Sequence, residues 1–429
     1  MKIAFRVDSS TAIGTGHTMR CVALALALVN QGKNLKKGTP VSSKSIQFLF
    51  RSQAGDLVHW IEQCGFETKQ LDGDTMNDEL VGLEQFFKSE KQAFDWLIVD
   101  HYGIDSDWEK RLQPFVKKIL VIDDMPNRKH SASYLLDQNW INLNEGEKAY
   151  QPHVSPNCTL WLGPRYALLR KEFAVNHVKA RDQRISTQEK APERLLIFFG
   201  GSDPTGETLP MLKIVQTLIK TNQLPPLEID VIAGDANPLK SEIEAFCQSQ
   251  SHITFHGQTE SMADLMLKAD WAMGAGGVAT WERLCLGLPA FVIAVAENQI
   301  QLSKSVAESA KAQIFLGLSE RYQDEIPPTL DPSPAEGGGE KNSQRNELES
   351  NMLFPLTSGL PSPLAGEGAG WGGHPVATHG RIKEALIHYF HNTELRFKMS
   401  LAGLSLVDGM GAARIADLME QANEPRRRL

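Results

Sequence analysis

Short, continuous apolar runs alternate along this chain with longer segments in which apolar residues recur at helical spacing. Continuous apolar runs are typical of parallel strands buried on both faces of a sheet, and the helical segments are typical of the crossovers between them. In the first part of the chain this pattern predicts strands at 2–7, 46–51, 96–100, 118–123 and 134–137. We therefore expect residues 1–175 to form a Rossmann-like α/β domain.

The alternation restarts after a polar, charged segment, 176–193, which we interpret as an interdomain linker. Further strands are predicted at 194–199, 227–232, 253–256, 270–273, 290–295 and 312–316. Residues 194–318 are thus expected to form a second doubly wound, Rossmann-like domain. Two such domains would face each other across a cleft at the carboxyl ends of their strands, where ligands of these folds bind.

The composition changes between residues 319 and 380. Proline and glycine make up 16 of the 50 residues in 331–380, which is typical of low-complexity or disordered sequence. We predict a disordered insertion over 319–380. Helical spacing returns in 381–429, which we expect to form C-terminal helices packed on the globular body.

Composition and charge exclude several classes of protein. The net charge of −8 disfavours a protein built to hold nucleic acid, which usually carries a basic excess. Five scattered cysteines with no CxxC pair indicate neither a disulfide framework nor a zinc site. No apolar run approaches the ~18–20 residues of a membrane span. We expect a cytoplasmic monomer with no nucleic-acid or membrane partner.

A glycine loop separates the first predicted strand from the first helix. Gly14 and Gly16 leave room for a ligand near the unpaired N–H groups that begin the helix, and His17 stands at the mouth of that site. The positive end of the helix would keep the His17 imidazole neutral and able to take a proton. A histidine that caps or packs at a helix start is an equally good interpretation, and the motif is not the full dinucleotide fingerprint.

Polar residues also follow the strand 96–100. The Asp100 carboxylate could orient an imidazole, and the Tyr102 phenol could donate to a substrate oxygen. For each residue singly, a strand end satisfied by local turns is the favoured interpretation. Asp123 and Asp124 end the next strand, and we interpret them as structural caps, since adjacent carboxylates point in different directions and no further metal-ligand spacing supports them.

Two glycine-rich turns in the second half could hold phosphates. In the turn 200–204, backbone N–H groups near Gly201 and the Ser202 hydroxyl could do so, although a plain strand-to-helix turn is the rival interpretation. In 274–282, Gly277 lets a phosphate approach the next helix, and Glu282, more than one turn further along, could accept two ribose hydroxyls. Binding is favoured here, because glycine is costly at a helix start and a carboxylate among apolar residues needs a partner.

Taken in order, these motifs resemble the UDP-sugar hydrolases of pseudaminic acid synthesis, relatives of the GT-B glycosyltransferases. The resemblance rests on FRVDSSTAIGTGHTMRC, IVDHYG, VIDDMPNRKH, FGGSDPTG, GAGGVATWERLCLGLP, AENQ and LVDGMGAARI. It extends over both α/β units and the C-terminal helix, and departs from the family at 319–380 and 33–45. It implies a GT-B-like fold and hydrolysis of UDP-2,4-diacetamido-2,4,6-trideoxy-β-L-altropyranose to UDP and free sugar, without a metal or cofactor.

The resemblance also implies roles for individual residues. His17 would activate a water for attack at the anomeric carbon, and Tyr102 would help to position the water or the sugar. Attack opposite the leaving group in a single displacement predicts inversion. The implied substrate-binding residues are Gly14, Gly16 and Asp100 near the sugar, Gly201, Ser202, Gly277 and Val278 at the diphosphate, Glu282 at the ribose, and Asn298 and Gln299 at the sugar or phosphate. The turn 256–258 is a weaker candidate for contacting uracil.

Two other functions fit the same UDP-binding pattern. One is a GT-B glycosyltransferase that passes the sugar of a UDP-sugar donor to an acceptor hydroxyl. An apolar membrane-facing patch in the N-terminal half would favour that alternative, and the sequence shows none. The other is a nucleotide-sugar binding protein without catalysis. The presence of His17 argues only weakly against this alternative.

Overall fold

Two seven-stranded parallel sheets, each with helices around it, make up the computed structural model of the protein. It describes residues 1–10, 13–31, 45–73, 75–257, 259, 261–322 and 375–423. Alternate residues of a strand pack into different hydrophobic clusters, as Leu195 and Leu196 do, because successive side chains point to opposite faces of the sheet. Both sheets are therefore covered on both faces, which confirms the expectation of two doubly wound α/β units.

The first sheet has the strand order β3-β2-β1-β4-β5-β6-β7. Its strands are β1 (Lys2–Val7), β2 (Ser45–Phe50), β3 (Glu67–Gln70), β4 (Phe94–Asp100), β5 (Val116–Ile122), β6 (Tyr134–Asp137) and β7 (Thr159–Leu162). Its helices are α1 (Gly16–Gln31), α2 (Val58–Gln63), α3 (Met76–Ser89), α4 (Ser106–Leu112) and α5 (Leu143–Tyr150). The order reverses between β1 and β4, so the loops that follow these two strands flank the crevice where such sheets bind ligands.

The second sheet repeats this arrangement in the order β10-β9-β8-β11-β12-β13-β14. Its strands are β8 (Arg194–Phe198), β9 (Glu228–Ile232), β10 (Ile253–His256), β11 (Trp271–Ala275), β12 (Ala290–Ala294), β13 (Ile314–Ser319) and β14 (Val376–Ala377). The helices from the interdomain connection onward are α6 (Lys171–Ser186), α7 (Thr208–Lys220), α8 (Lys240–Gln248), α9 (Met262–Lys268), α10 (Ala279–Cys285), α11 (Asn298–Glu308), α12 (His379–Tyr389), α13 (Thr393–Leu406) and α14 (Gly411–Asn423). Here the order reverses between β8 and β11, which places the two glycine-rich turns at the crevice.

The segment interpreted as a linker is largely helical and packs on the second domain. Residues 176–186 belong to α6, where the His177 imidazole donates from Nδ1 to the Cys285 carbonyl oxygen over 2.7 Å. The buried Arg184 guanidinium donates to the carbonyl oxygens of Ala269 and Met266 at 2.6 and 3.0 Å. The polar side chains of the segment 176–186 therefore donate hydrogen bonds to carbonyl groups of the second domain rather than facing only solvent.

The C-terminal helix α14 returns to the first domain. Ala412, Ile415, Ala416 and Met419 are buried with residues of α1 and β1 in one hydrophobic cluster. The helix α14 thus completes the hydrophobic core of the first domain. In the described part of the chain, no helix is long and apolar enough to cross a bilayer.

Three strands of the structure were not predicted from the sequence, and all three stand at the ends of the strand orders given above. Among the described residues, the strands β3, β7 and β14 each pair with one neighbour, and the residues of β3 are polar and partly exposed. Edge strands bury less surface and so carry a weaker apolar signal. Of the disordered insertion predicted at 319–380, 323–374 lies outside the described residues. The prediction was wrong at the two ends, because Ser319 is the last residue of β13 and 375–380 includes β14 and the beginning of α12. Most of the loop noted at 33–45 is likewise outside them.

Candidate functional site

The centre of the site is His17, the second residue of α1, beside the carboxyl end of β4. The His17 Nδ1 atom lies 2.6 Å from the Asp100 Oδ1 atom. The Asp100 carboxylate is completely buried, and the imidazole remains partly exposed. Because β1 and β4 are neighbours in the sheet, the first turn of α1 is brought against the end of β4, although the two residues are 83 positions apart.

A buried arginine holds the Asp100 carboxylate in its ionised form. The guanidinium of Arg20, one turn after His17 on α1, donates from Nε and Nη2 to the two Asp100 oxygens, each over 2.6 Å. Burial alone would raise the pKa of Asp100, but the Arg20 charge and these hydrogen bonds outweigh it and keep the pKa below its usual value. Asp100 is therefore a carboxylate that only accepts hydrogen bonds.

This arrangement fixes the tautomer of His17. Since the Asp100 carboxylate can only accept, the 2.6 Å contact places a proton on His17 Nδ1. The lone pair of the neutral ring then lies on Nε2. The Arg20 Nη2 atom also lies 3.2 Å from Nδ1, but both atoms carry protons, so this approach is not a hydrogen bond. Among the described residues, the imidazole makes no hydrogen bond through Nε2. The Nε2 atom is thus left for a water or a substrate group.

Tyr102 joins this cluster to the second domain. Its ring packs edge-on against the His17 ring, with centroids 4.8 Å apart. Its hydroxyl donates to Asp124 Oδ1 over 2.7 Å and accepts from Asn298 Nδ2 of the second domain over 3.3 Å. Burial and the nearby Asp124 charge raise the pKa of the Tyr102 hydroxyl well above its ordinary value, so it remains a protonated donor.

The glycine loops of the two domains face each other next to His17. A Cβ atom added to Gly16 would lie 3.1 Å from Val278 Cγ2, and one added to Gly201 would lie 3.7 Å from Thr15 Oγ1. Gly14 has a φ of +83° and open space around its Cα. The structure therefore brings together the loops after β1, β8 and β11, as expected for a ligand that spans both domains.

Only part of the glycine turn after β11 is open to a ligand. Gly276 packs against Ser303, which leaves no room for a side chain, whereas Gly277 has only Gln299 Nε2 within 4 Å of an added Cβ. The Gln299 side-chain oxygen accepts from the backbone N–H groups of Gly276 and Val295, each over 3.1 Å. Gln299 therefore holds the turn in shape, and Gly277 is the glycine at which a phosphate could approach the backbone.

The turn after β8 is shaped by its own carboxylate. Gly200 and Asp203 have φ values of +98° and +45°. Asp203 accepts from the backbone N–H groups of Glu207 and Thr208, each over 2.9 Å, at the start of α7. Because this carboxylate already occupies the positive end of α7, a phosphate here would meet the backbone at Gly201 and the Ser202 hydroxyl instead.

Glu282 lies on α10, with its side chain mostly buried. Its Oε1 atom is 3.5 Å from Nη2 of Arg170, the residue just before α6. Burial raises the pKa of Glu282, and the Arg170 charge opposes that shift. In the turn predicted to contact uracil, His256 Nε2 lies 2.8 Å from Asp230, and Gln258 is outside the described residues.

Two residues of the cluster were not singled out by the sequence. Arg20 lies within an apolar helical pattern, and its only signal was a charge at i+3 from a candidate base. Asp124 was interpreted as a cap, but it bonds Tyr102 and lies 3.4 Å from Arg20, whereas Asp123 does accept from the Met125 N–H as a cap would. Asp100 was expected near the sugar, but its side chain is buried and contacts His17 instead of lying at the surface of the cleft.

Sequence comparison finds relatives in bacteria and archaea. The UDP-2,4-diacetamido-2,4,6-trideoxy-β-L-altropyranose hydrolase of Campylobacter jejuni is 30% identical over 303 residues, 70% of this chain and 93% of that enzyme. An uncharacterised protein of Methanocaldococcus jannaschii and the Bacillus subtilis spore coat polysaccharide biosynthesis protein SpsG are both 28% identical, over 70% and 56% of this chain. The chain spans 57% and 66% of the length of these two proteins. No known family model matches it.

Solved structures share the architecture at low identity. Acinetobacter baumannii MurG superposes with a TM-score of 0.56 at 11% identity, covering 98% of this chain and 99% of that one. A putative UDP-N-acetylglucosamine 2-epimerase from Listeria monocytogenes gives 0.52 at 10% identity, covering 99% and 98%. These likenesses confirm the GT-B-like fold. Because its alignment with the C. jejuni enzyme covers nearly all of that protein, the chain belongs to the family of the UDP-2,4-diacetamido-2,4,6-trideoxy-β-L-altropyranose hydrolases.

Proposed function

We propose that the protein hydrolyses a UDP-linked 2,4-diacetamido-2,4,6-trideoxy sugar to UDP and the free sugar in pseudaminic acid biosynthesis. The observation that carries this proposal is the buried Asp100 carboxylate at 2.6 Å from His17 Nδ1, at a crevice faced by the glycine turns of the second domain. Membership of the hydrolase family supports the choice of substrate.

In the proposed reaction, His17 Nε2 removes a proton from a water as that water attacks the anomeric carbon. The Asp100 carboxylate stabilises the imidazolium that forms, and it keeps the ring in the required tautomer. The bond from the anomeric carbon to the phosphate oxygen breaks, and its electron pair leaves with UDP. Attack from the side opposite UDP inverts the anomeric configuration.

UDP needs little chemical help to depart, because its diphosphate stabilises the negative charge. Backbone N–H groups at Gly201, Gly277 and Val278, with the Ser202 hydroxyl, would hold the diphosphate and meet the charge that develops on it. Glu282 would accept the ribose hydroxyls. The open space at Gly14 would take the sugar, whereas Gly16 packs against Val278, and the side-chain amide of Asn298, which lies beside Tyr102, would donate to the sugar. No metal or cofactor enters this mechanism.

The test is hydrolysis of the UDP-sugar in ¹⁸O-labelled water, without any acceptor and with EDTA present. We expect release of UDP and appearance of the label in the free sugar, since attack occurs at carbon. Label in UDP would mean attack at phosphorus and would contradict the mechanism. UDP release that requires an added acceptor hydroxyl would indicate a glycosyltransferase instead, and binding without turnover would indicate a nucleotide-sugar binding protein.

The base is tested by His17→Ala. Because proton removal by a positioned base contributes about 10²–10⁴-fold, kcat should fall by that factor. UDP affinity, measured by calorimetry, should be retained, since His17 is assigned to the water and not to the nucleotide. The matched control is His59→Ala, which changes an exposed histidine of α2 in the same domain and should leave kcat unchanged. Full activity of His17→Ala would exclude His17 as the base.

A further inference from the structure

The guanidinium of Arg20 contacts two carboxylates that belong to different parts of the site. Its Nε and Nη2 atoms bind both oxygens of Asp100, and its Nη1 atom lies 3.4 Å from Asp124 Oδ2. The other oxygen of Asp124 accepts from the Tyr102 hydroxyl. The Arg20 side chain is almost wholly buried, so these contacts are shielded from solvent.

We propose that Arg20 and Asp124 are a pair of positioning residues that fix His17 and Tyr102 relative to each other and supply the negative charge that a protonated His17 requires. The proposal rests on the proposed function, because it assigns the pair to the base of that reaction. Neither side chain is assigned a contact with substrate. Both act through the residues that they hold.

Four ionisable groups set the charge of the cluster, namely Arg20, Asp100, Asp124 and His17. If Arg20 faced Asp100 alone, the two charges would cancel, and the proton taken up by His17 would enter a neutral surrounding. With Asp124 added, the cluster carries one net negative charge while His17 is neutral, and becomes neutral when His17 is protonated. Burial strengthens this interaction compared with water. The nearby Arg128 is paired with Asp123 at 2.9 Å, so it does not cancel the Asp124 charge.

The planar shape of the Arg20 guanidinium sets the geometry of the cluster. Two of its nitrogens, Nε and Nη2, donate to the two Asp100 oxygens, and the third, Nη1, faces Asp124. A single lysine ammonium cannot reproduce this arrangement. Asp124 in turn takes the only proton of the Tyr102 hydroxyl, which leaves that oxygen to accept from Asn298. A continuous hydrogen-bonded path therefore runs from the base to the second domain.

Two conservative substitutions test the proposal. Asp124→Asn removes the charge and keeps an oxygen for Tyr102, and Arg20→Lys keeps the charge but removes the planar set of donors. Because a misplaced group can cost about 100-fold, each should lower kcat by roughly that factor, with KM and UDP affinity little changed. Asp124→Glu, which restores the charge, should recover part of the loss. The matched control is Arg194→Lys, which alters an arginine–aspartate pair at the start of β8.

A second readout does not depend on turnover. In ¹⁵N-histidine-labelled protein, the short contact of His17 Nδ1–H with Asp100 should give a strongly downfield proton signal. Its loss in His17→Ala distinguishes it from any signal of His130, which lies equally close to Glu109. Arg20→Lys should shift the His17 signal, and Arg194→Lys should not. Wild-type kcat in either site variant would overturn the proposal, as would an unchanged signal in Arg20→Lys. If Arg20→Lys does not fold, Asp124→Asn decides. If the wild-type protein releases no UDP, the proposed function fails, and the signal still tests the positioning.

Discussion

At the scale of the residue, the buried Asp100 carboxylate turns a histidine at a helix start into a candidate base. A histidine in this position could equally have capped its helix. The 2.6 Å contact with Asp100 instead commits Nδ1 to donation, and Arg20 keeps Asp100 ionised despite its burial. Neighbouring His101 lies 3.3 Å from Asp8, so it is engaged elsewhere. The chemistry therefore depends on which carboxylate each imidazole meets.

Glu282 provides a residue-scale prediction about nucleotide binding. If its carboxylate accepts the ribose hydroxyls, Glu282→Ala should weaken UDP binding by about 10–100-fold, the value of one or two hydrogen bonds to a charged group. The affinity for a UDP analogue without ribose hydroxyls should change little, since that contact is already absent. Calorimetry with both nucleotides measures this, with the exposed Glu308 of α11 changed to Ala as control. Equal losses for both nucleotides would contradict ribose recognition.

At the scale of the element, a buried ion cluster fixes the loop that follows β5. His130 Nδ1 lies 2.6 Å from Glu109 of α4, and His130 Nε2 lies 3.3 Å from Asp123 at the end of β5. Burial alone would lower the pKa of His130, but the two carboxylates outweigh it and raise the pKa to about 9. Since Asp124 follows directly, this cluster also orients a residue of the candidate site.

This raised pKa predicts how stability depends on pH. In the unfolded chain the pKa of His130 is about 6.5, and in the folded protein it is about 9. The protonated His130 therefore stabilises the fold fully below about pH 6.5, and this contribution is lost as the pH rises through about 9. The loss should be on the order of 3 kcal/mol, since one pKa unit corresponds to about 1.4 kcal/mol. Urea unfolding across this pH range measures it. His130→Gln, which does not titrate, should show a flatter curve, and parallel curves would refute the assignment.

At the scale of the whole molecule, the two domains are tied at several points. Tyr102 bonds Asn298, and Trp281 Nε1 donates to Asn139 Oδ1 over 3.2 Å. The helix α14 carries the end of the chain back into the first core. The Tyr102–Asn298 contact lies beside His17, so the loops that carry the candidate site belong to both domains.

The pairing of β13 with β14 predicts that the protein tolerates deletion of the segment 323–374. The backbone N–H of Leu318 in β13 donates to the Pro375 carbonyl oxygen over 2.9 Å, so the two ends of the segment 323–374 are close in space. Replacing this segment with about ten Gly and Ser residues should therefore be accommodated. We expect an unchanged thermal midpoint and UDP affinity, measured by calorimetry. A large loss of either would mean that the segment supports the fold or the site.

The central strands and the loops beyond them could be predicted from the sequence alone, because a strand buried on both faces must be apolar along its length. The apolar runs that gave β1, β4, β8 and β11 also placed His17, Asp100, Ser202 and Gly277 at carboxyl ends. The polar edge strand β3 could not be recognised in this way, since it buries little. The helical nature of 176–186 was missed because its polar side chains satisfy carbonyl groups of another domain.

The class of fold and the family could be predicted from the residues alone, because apolar periodicity and sequence motifs are properties of short stretches of the chain. The folded arrangement was needed to show that Asp100 contacts His17, that Arg20 contacts two carboxylates, and that Asp124 accepts a hydrogen bond from Tyr102. These contacts join residues that lie far apart in the chain, and they exist only once strand order has set the loops side by side. Side-chain partners across a crevice depend on that placement, which no local pattern encodes.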